Sequence, residues 1–174
     1  ETRETPAPVR QKMMERLVEL GESRGPILRE LVVALLDQGR DDDAIKYAPA
    51  ARKRFALQSE DFRRLGFVFA TAQQHEQAVS YLNQYMRYTP TDPLVRLKLA
   101  SSLETLGKLE SARRVYTTLK ADFPKNPVIY LRLAAFCTRH KDTYCAQDAL
   151  RVANELRGVQ RQNRSLRPLL KSKR

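Results

Sequence analysis

Four stretches decide the fold: DDDAIKYA (41–48), HEQAVSYL (75–82), LESARRVY (109–116) and YCAQDAL (144–150). Their alanines, Ala44, Ala78, Ala112 and Ala146, stand 34 residues apart without a gap. A second column, Leu31, Leu65, Leu99 and Leu133, keeps the same spacing. One residue beyond it stand Val32, Gly66, Ala100 and Ala134, all small or modest in size. Four residues beyond it stand Leu35, Phe69, Leu103 and Cys137, and further on come Ala48, Leu82, Tyr116 and Leu150. Pro90 and Pro124 recur at the same distance. A fixed period of this length marks stacked supersecondary units.

Within each period the apolar residues recur at spacings of three and four, which is one face of a helix. The period is therefore a helical hairpin repeated four times, and the units run 25–58, 59–92, 93–126 and 127–160. A first helix fills the opening part of each unit. Turns follow at 38–43, 73–76, 106–110 and 140–144, and a second helix completes the unit. Gly39 and Gly107 suit the left-handed residue that ends a helix. Pro93 and Pro127 fall in a first turn, where the missing N–H costs nothing. Asp92 and Asn126 before them are good N-caps.

These columns resemble the tetratricopeptide repeat. Its pattern is matched in the second unit by Phe62, Leu65-Gly66, Phe69, Ala78, Leu82 and Pro90. The third unit matches with Leu99-Ala100, Leu103, Gly107, Ala112, Tyr116 and Pro124, and the fourth with Tyr130, Leu133-Ala134, Ala146 and Leu150. Arg96 departs from the pattern in the third unit, and Ala56 and Gly158 replace the closing proline in the first and fourth. The resemblance implies an all-α fold in which hairpins stack into a right-handed superhelical solenoid. It also implies a non-enzymatic protein-interaction scaffold that takes a peptide or helix of a partner in a concave groove. Such a module belongs to a larger assembly, envelope or secretion-associated protein. The alternatives are a secretion-type chaperone, or a nucleic-acid-associated scaffold.

By the same resemblance the first helices line the groove. Its candidate residues are Arg29, Val33, Arg63, Arg64, Phe67, Leu94, Leu97, Lys98, Ser101, Leu131, Arg132 and Ala135. They form an apolar floor, to which Val128 adds, and a basic ridge of Arg63, Arg64, Lys98 and Arg132. Such a groove suits an acidic or amphipathic segment; equally, the apolar residues can pack within the array while the cations solvate it. Some family members clamp a terminal carboxylate with asparagines at positions that here hold Val33, Phe67, Ser101 and Ala135. No clamp of that type is expected.

The flanks read differently. Residues 1–24 contain one amphipathic helix, PVRQKMMERLVELGE (8–22), with Met14, Leu17 and Val18 inward. It serves either as a capping helix or as the second helix of an earlier unit. Residues 161–174 are a basic tail expected to be flexible, and 159–174 carry six of the Lys/Arg behind the net charge of +12. That charge allows nonspecific nucleic-acid association, but the tail has no aromatic residue to stack on bases. No apolar run approaches the roughly 18 residues of a membrane span.

Catalytic signals are missing. His75 and His140 lie in hairpin turns, and no phosphate loop, nucleophile elbow or paired-carboxylate site occurs. Asp41–Asp43 open a second helix, where acids complement the dipole. No enzyme activity, cofactor or metal is expected. Cys137 and Cys145 face each other across the last hairpin. A disulfide, two free thiols and a Cys–His metal site all remain open, though four metal ligands are not in sight. A disulfide would place the chain in an oxidising compartment such as a bacterial periplasm; otherwise the cytoplasm is expected.

Overall fold

The computed structural model describes residues 7–21 and 24–171. Among them are nine helices and no strand: α1 (Ala7–Glu19), α2 (Gly25–Asp37), α3 (Asp41–Lys53), α4 (Ser59–Thr71), α5 (His75–Met86), α6 (Pro93–Thr105), α7 (Leu109–Asp122), α8 (Pro127–Arg139) and α9 (Thr143–Lys171). The first helices α2, α4, α6 and α8 thus begin 34 residues apart.

The turns share one backbone device. Gly39, Gln73, Gly107 and Lys141 all have positive φ, at 69°, 62°, 71° and 59°. Two of the four turns use glycine, which takes this conformation freely. Gln73 and Lys141, which carry side chains, adopt it at some conformational cost. Capping is local as well. Asp92 accepts hydrogen bonds from the N–H groups of Leu94 (2.9 Å) and Val95 (3.2 Å), and Asn126 accepts one from Val128 (3.0 Å).

The chain divides into two compact units, one up to Gly107 and one from Lys108. In the first, α2–α3 and α4–α5 are antiparallel hairpins. Their core is built from Leu31, Leu35, Leu65, Phe69, Ala44, Ala78 and Leu82, each essentially inaccessible. Close helix approach sets the geometry. A Cβ added to Gly66 would lie 2.4 Å from Leu82 Cδ2 and 2.7 Å from its Cγ. Tyr81 fills the remaining space, its ring 5.8 Å from Phe62 and 4.8 Å from Phe69. Burial pushes its phenol pKa up, opposed by Arg52, whose guanidinium lies 4.8 Å over the ring.

α1 packs on α2 through Met14, with Gln11 buried beside it. The Gln38 amide donates to Gln11 Oε1, and Arg40 pairs with Glu15 at 2.9 Å. The expectation that Leu17 also turns inward is corrected: Leu17 is exposed and Val18 only half-buried. Met14 and Leu17 are three residues apart, close to 60° around the helix, and α2 covers only the Met14 side.

In the second unit, α8 and α9 form the hairpin and α7 packs on α8. Tyr116 of α7 stacks 5.3 Å from Phe136 of α8. Cys137, fully buried, is bonded to Cys145 with a Cα–Cα distance of 5.8 Å. Asp142 caps α9 by accepting the Cys145 N–H (3.1 Å) and pairs with Arg113 at 3.0 Å. The backbone hydrogen bond, then Arg113, hold its carboxyl below the ordinary value. α9 does not stop at the end of the fourth repeat: the backbone of 161–171, in the segment read as a tail, continues as helix to Lys171. Its side chains, and residues 172–174, lie outside the described set.

Two outcomes follow. Gly66→Ala gains helix propensity of about 1 kcal/mol but forces overpacking of about 1–3 kcal/mol. Urea unfolding should therefore show a net loss, which Leu82→Ala in the same chain reduces below the sum of the two single changes. Closing so short a loop, the disulfide should stabilise by about 2–3 kcal/mol. Intact mass should rise by about 2 Da on reduction, and Cys145→Ser should lower the midpoint.

Candidate functional site

The first-helix face of the amino-terminal unit is built by α2, α4 and α6. The helical repeat sets Arg29 and Val33 one turn apart on α2, Arg63 and Phe67 on α4, and Leu97 and Ser101 on α6. Phe67 occupies the centre. Its half-exposed ring is flanked by the Arg63 guanidinium, 5.6 Å from the centroid, and by Lys98 Nζ of α6 at 5.4 Å. Cations at these distances are held by the ring's quadrupole, worth about 0.5–1 kcal/mol each at an exposed site.

Arg29 and the two ridge arginines of this unit, Arg63 and Arg64, have partners within it. Arg29 Nε donates to Asp61 Oδ2 at 2.7 Å, and its Nη2 donates to Gln58 Oε1 at 2.9 Å. The same Asp61 oxygen, deeply buried, accepts the Gln58 N–H at 2.8 Å. One carboxylate thereby ties α2 to the start of α4. Arg63 pairs with Glu60 at 2.7 Å and Asp92 at 3.5 Å, and Arg64 reaches back to Asp37 of α2 at 2.8 Å. The Glu60 hydrogen bond, opposed by desolvation, holds the Arg63 pKa above its ordinary value. Each pair joins one element to its neighbour or to its own first turn. The sequence shows these acids but not their pairing, which needs helices set side by side.

Leu94 is exposed at the start of α6, Leu97 is half-buried, and Ser101 is exposed. Leu131, Arg132 and Ala135 lie on α8 of the second unit: Arg132 is exposed there, and the other two are half-buried. A cleft of about 740 Å³ opens beside Arg29 and Val33, bounded by Pro26, Glu30, Gln58 and the loop Arg54–Ala56. At its rim stands Phe55, 96% exposed with φ of 54°. Sequence reasoning missed Phe55. The only signal was an aromatic residue immediately before Ala56, in the loop where later units carry proline.

A family model described as tetratricopeptide repeat matches residues 69–135. Over these residues the chain carries tetratricopeptide repeats. Solved structures agree on the fold. The crystal structure of MamA aligns with a TM-score of 0.68 and 14% identity, over 87% of this chain and 89% of that one. MamA 41-end from Desulfovibrio magneticus RS-1 gives 0.67 and 16%, over 88% and 96%. YrrB, titled a TPR protein with an unusual peptide-binding site, gives 0.71 and 15%, over 86% and 77%. At such identities the likeness is one of fold. No curated protein matches the chain in sequence.

In this tetratricopeptide array the described residues that lie close enough to share a metal ion are Cys137, Asp142 and Cys145, and the two sulfurs are bonded to each other. No helix among the described residues is long and apolar enough to cross a membrane.

The ion-pair pattern gives a stability prediction. Arg63→Glu with Arg64→Glu sets new carboxylates beside Glu60, Asp92 and Asp37, so the melting temperature should fall in calorimetry. Lys98→Glu meets no such acid and should leave it within a few degrees of wild type.

Proposed function

We propose that the face of α2, α4 and α6 holds a segment of a partner protein, with Phe67 as its central contact. The observation that carries this reading is the half-exposed Phe67 ring, set between two cations on a surface whose arginines are otherwise ion-paired. An apolar side chain of the partner packs on Phe67, Val33 and Leu97. An acidic neighbour meets Lys98, the cation of the ridge in this unit for which the structure shows no carboxylate. The cleft beside Arg29, rimmed by Phe55, extends the same surface along α2. The fold likeness to YrrB, titled for a peptide-binding site, supports the class of ligand. The reading thus favours an amphipathic segment over a strongly acidic one, because Asp61, Glu60, Asp92 and Asp37 already neutralise most of the ridge.

We infer also that the chain works in an oxidising compartment such as a bacterial periplasm. The bonded Cys137 and Cys145 support this, since such bonds persist outside the reducing cytosol.

Peptides selected on the intact chain from a random display library should bind with at least tenfold lower affinity to Phe67→Ala. Those carrying an acidic residue should weaken further with Lys98→Glu. Binding by the groove should survive moderate salt, whereas purely ionic association would vanish. Selected peptides that bind Phe67→Ala as well as wild type would overturn the proposal.

A further inference from the structure

The fourth hairpin lacks a ring that the second one has. Tyr81 of α5 sits against Phe62 and Phe69 of α4, with ring centres 5.8 and 4.8 Å away. The Arg52 guanidinium of α3 lies over it at 4.8 Å. Two periods of 34 further along the chain, the columns of Tyr81, Phe62, Phe69 and Arg52 hold Ala149, Tyr130, Cys137 and Lys120. Ala149 is the smallest member of its column, where the other units carry Tyr47, Tyr81 and Val115. The register thus puts a methyl group in place of the ring and keeps a cation in the column of Arg52.

A pocket of about 280 Å³ lies at this place, between α7, α8 and α9. Tyr130, Leu133 and Ala149 are its apolar lining. Tyr130 is only 7% exposed, and its hydroxyl has no hydrogen-bond partner among the described residues. A buried phenol in that state is uncommon. The charged groups around the pocket are matched except for one: Arg113 pairs with Asp142, and Asp148 with Arg151. Lys120, half-buried on α7, has no carboxylate partner among the described residues. Tyr144 also lines the pocket and is 84% exposed, in a column that holds Asp42, Glu76 and Glu110 in the other units. Arg52, Phe62 and Phe69 all precede Tyr81 in the chain, and their counterparts precede Ala149. The space is therefore enclosed by helices already in place, and the substitution at Ala149 is what opens it.

We propose that this pocket takes an aromatic side chain of a partner protein, its ring lying where the Tyr81 ring lies in the second hairpin. Lys120 meets the ring face as Arg52 meets that of Tyr81. Tyr130 and Leu133 pack against the ring, and the Tyr130 hydroxyl is left to bond a polar group of the partner. The volume falls below the roughly 300–1,000 Å³ of small-molecule sites, which fits a single side chain. The pocket is distinct from the first-helix groove: Leu131, Arg132 and Ala135 of α8 do not line it.

The probe is N-acetyl-tyrosinamide, titrated into the intact chain and followed by amide chemical shifts. Saturable shifts should appear at Lys120, Tyr130, Tyr144 and Ala149, and N-acetyl-leucinamide should bind more weakly. Lys120→Ala should weaken binding by about threefold, the loss expected for one cation over a ring. Ala149→Tyr supplies the ring from within, so it should abolish binding and raise the urea midpoint. If that variant does not fold, Lys120→Ala still decides. Phe67→Ala should leave binding unchanged, which separates this pocket from the groove. Absent or unsaturable shifts, shifts elsewhere, equal binding of the leucine compound, or an unchanged affinity in Lys120→Ala overturns the proposal. Binding of p-cresol without binding of N-acetyl-tyrosinamide would overturn the partner-protein assignment in favour of a free aromatic molecule.

Discussion

Everything in this fold depends on how closely the two helices of a hairpin approach. At Gly66 there is no room even for a methyl group, because Leu82 of the facing helix occupies that space. The alanine column does the same work on the opposing helix, where Ala44, Ala78 and Ala112 are inaccessible. Small residues at the crossing let the larger ones on either side, Phe62, Phe69 and Tyr81, interlock around it. Packing at this density leaves little slack, so a repeat is defined by its smallest residues as much as by its largest.

A helix packed in this way has more than one apolar face, and each face needs its own cover. Inside the array the neighbouring helices provide it. Among the described residues, Met13 and Leu17 on α1 and Leu150 on α9 remain exposed. The disulfide lies in the last hairpin, where it joins α8 to α9 directly.

Electrostatics then decide what the first-helix face presents. Carboxylates from adjacent elements meet Arg29, Arg63 and Arg64. The exposed pairs among them, those of Arg63 and Arg64, contribute little stability, about 0–1 kcal/mol each. Their larger effect is to turn a ridge of apparent positive charge into a nearly balanced network, leaving Phe67 and Lys98 as its distinctive features.

The period of 34, the starts of the first helices, the left-handed residues at Gly39 and Gly107 and the caps Asp92 and Asn126 were all legible in the sequence, because each depends on residues close together in the chain. Turning, capping and face periodicity act over three or four residues, and spacing alone reveals them. The tertiary structure decided the rest. It paired Arg64 with Asp37 and Arg29 with Asp61, turned Leu17 outward, carried α9 on to Lys171, and set Phe55 in the open. These outcomes depend on which helix lies beside which, and at what depth. The repeat register names the columns, but only packed neighbours determine which column is covered.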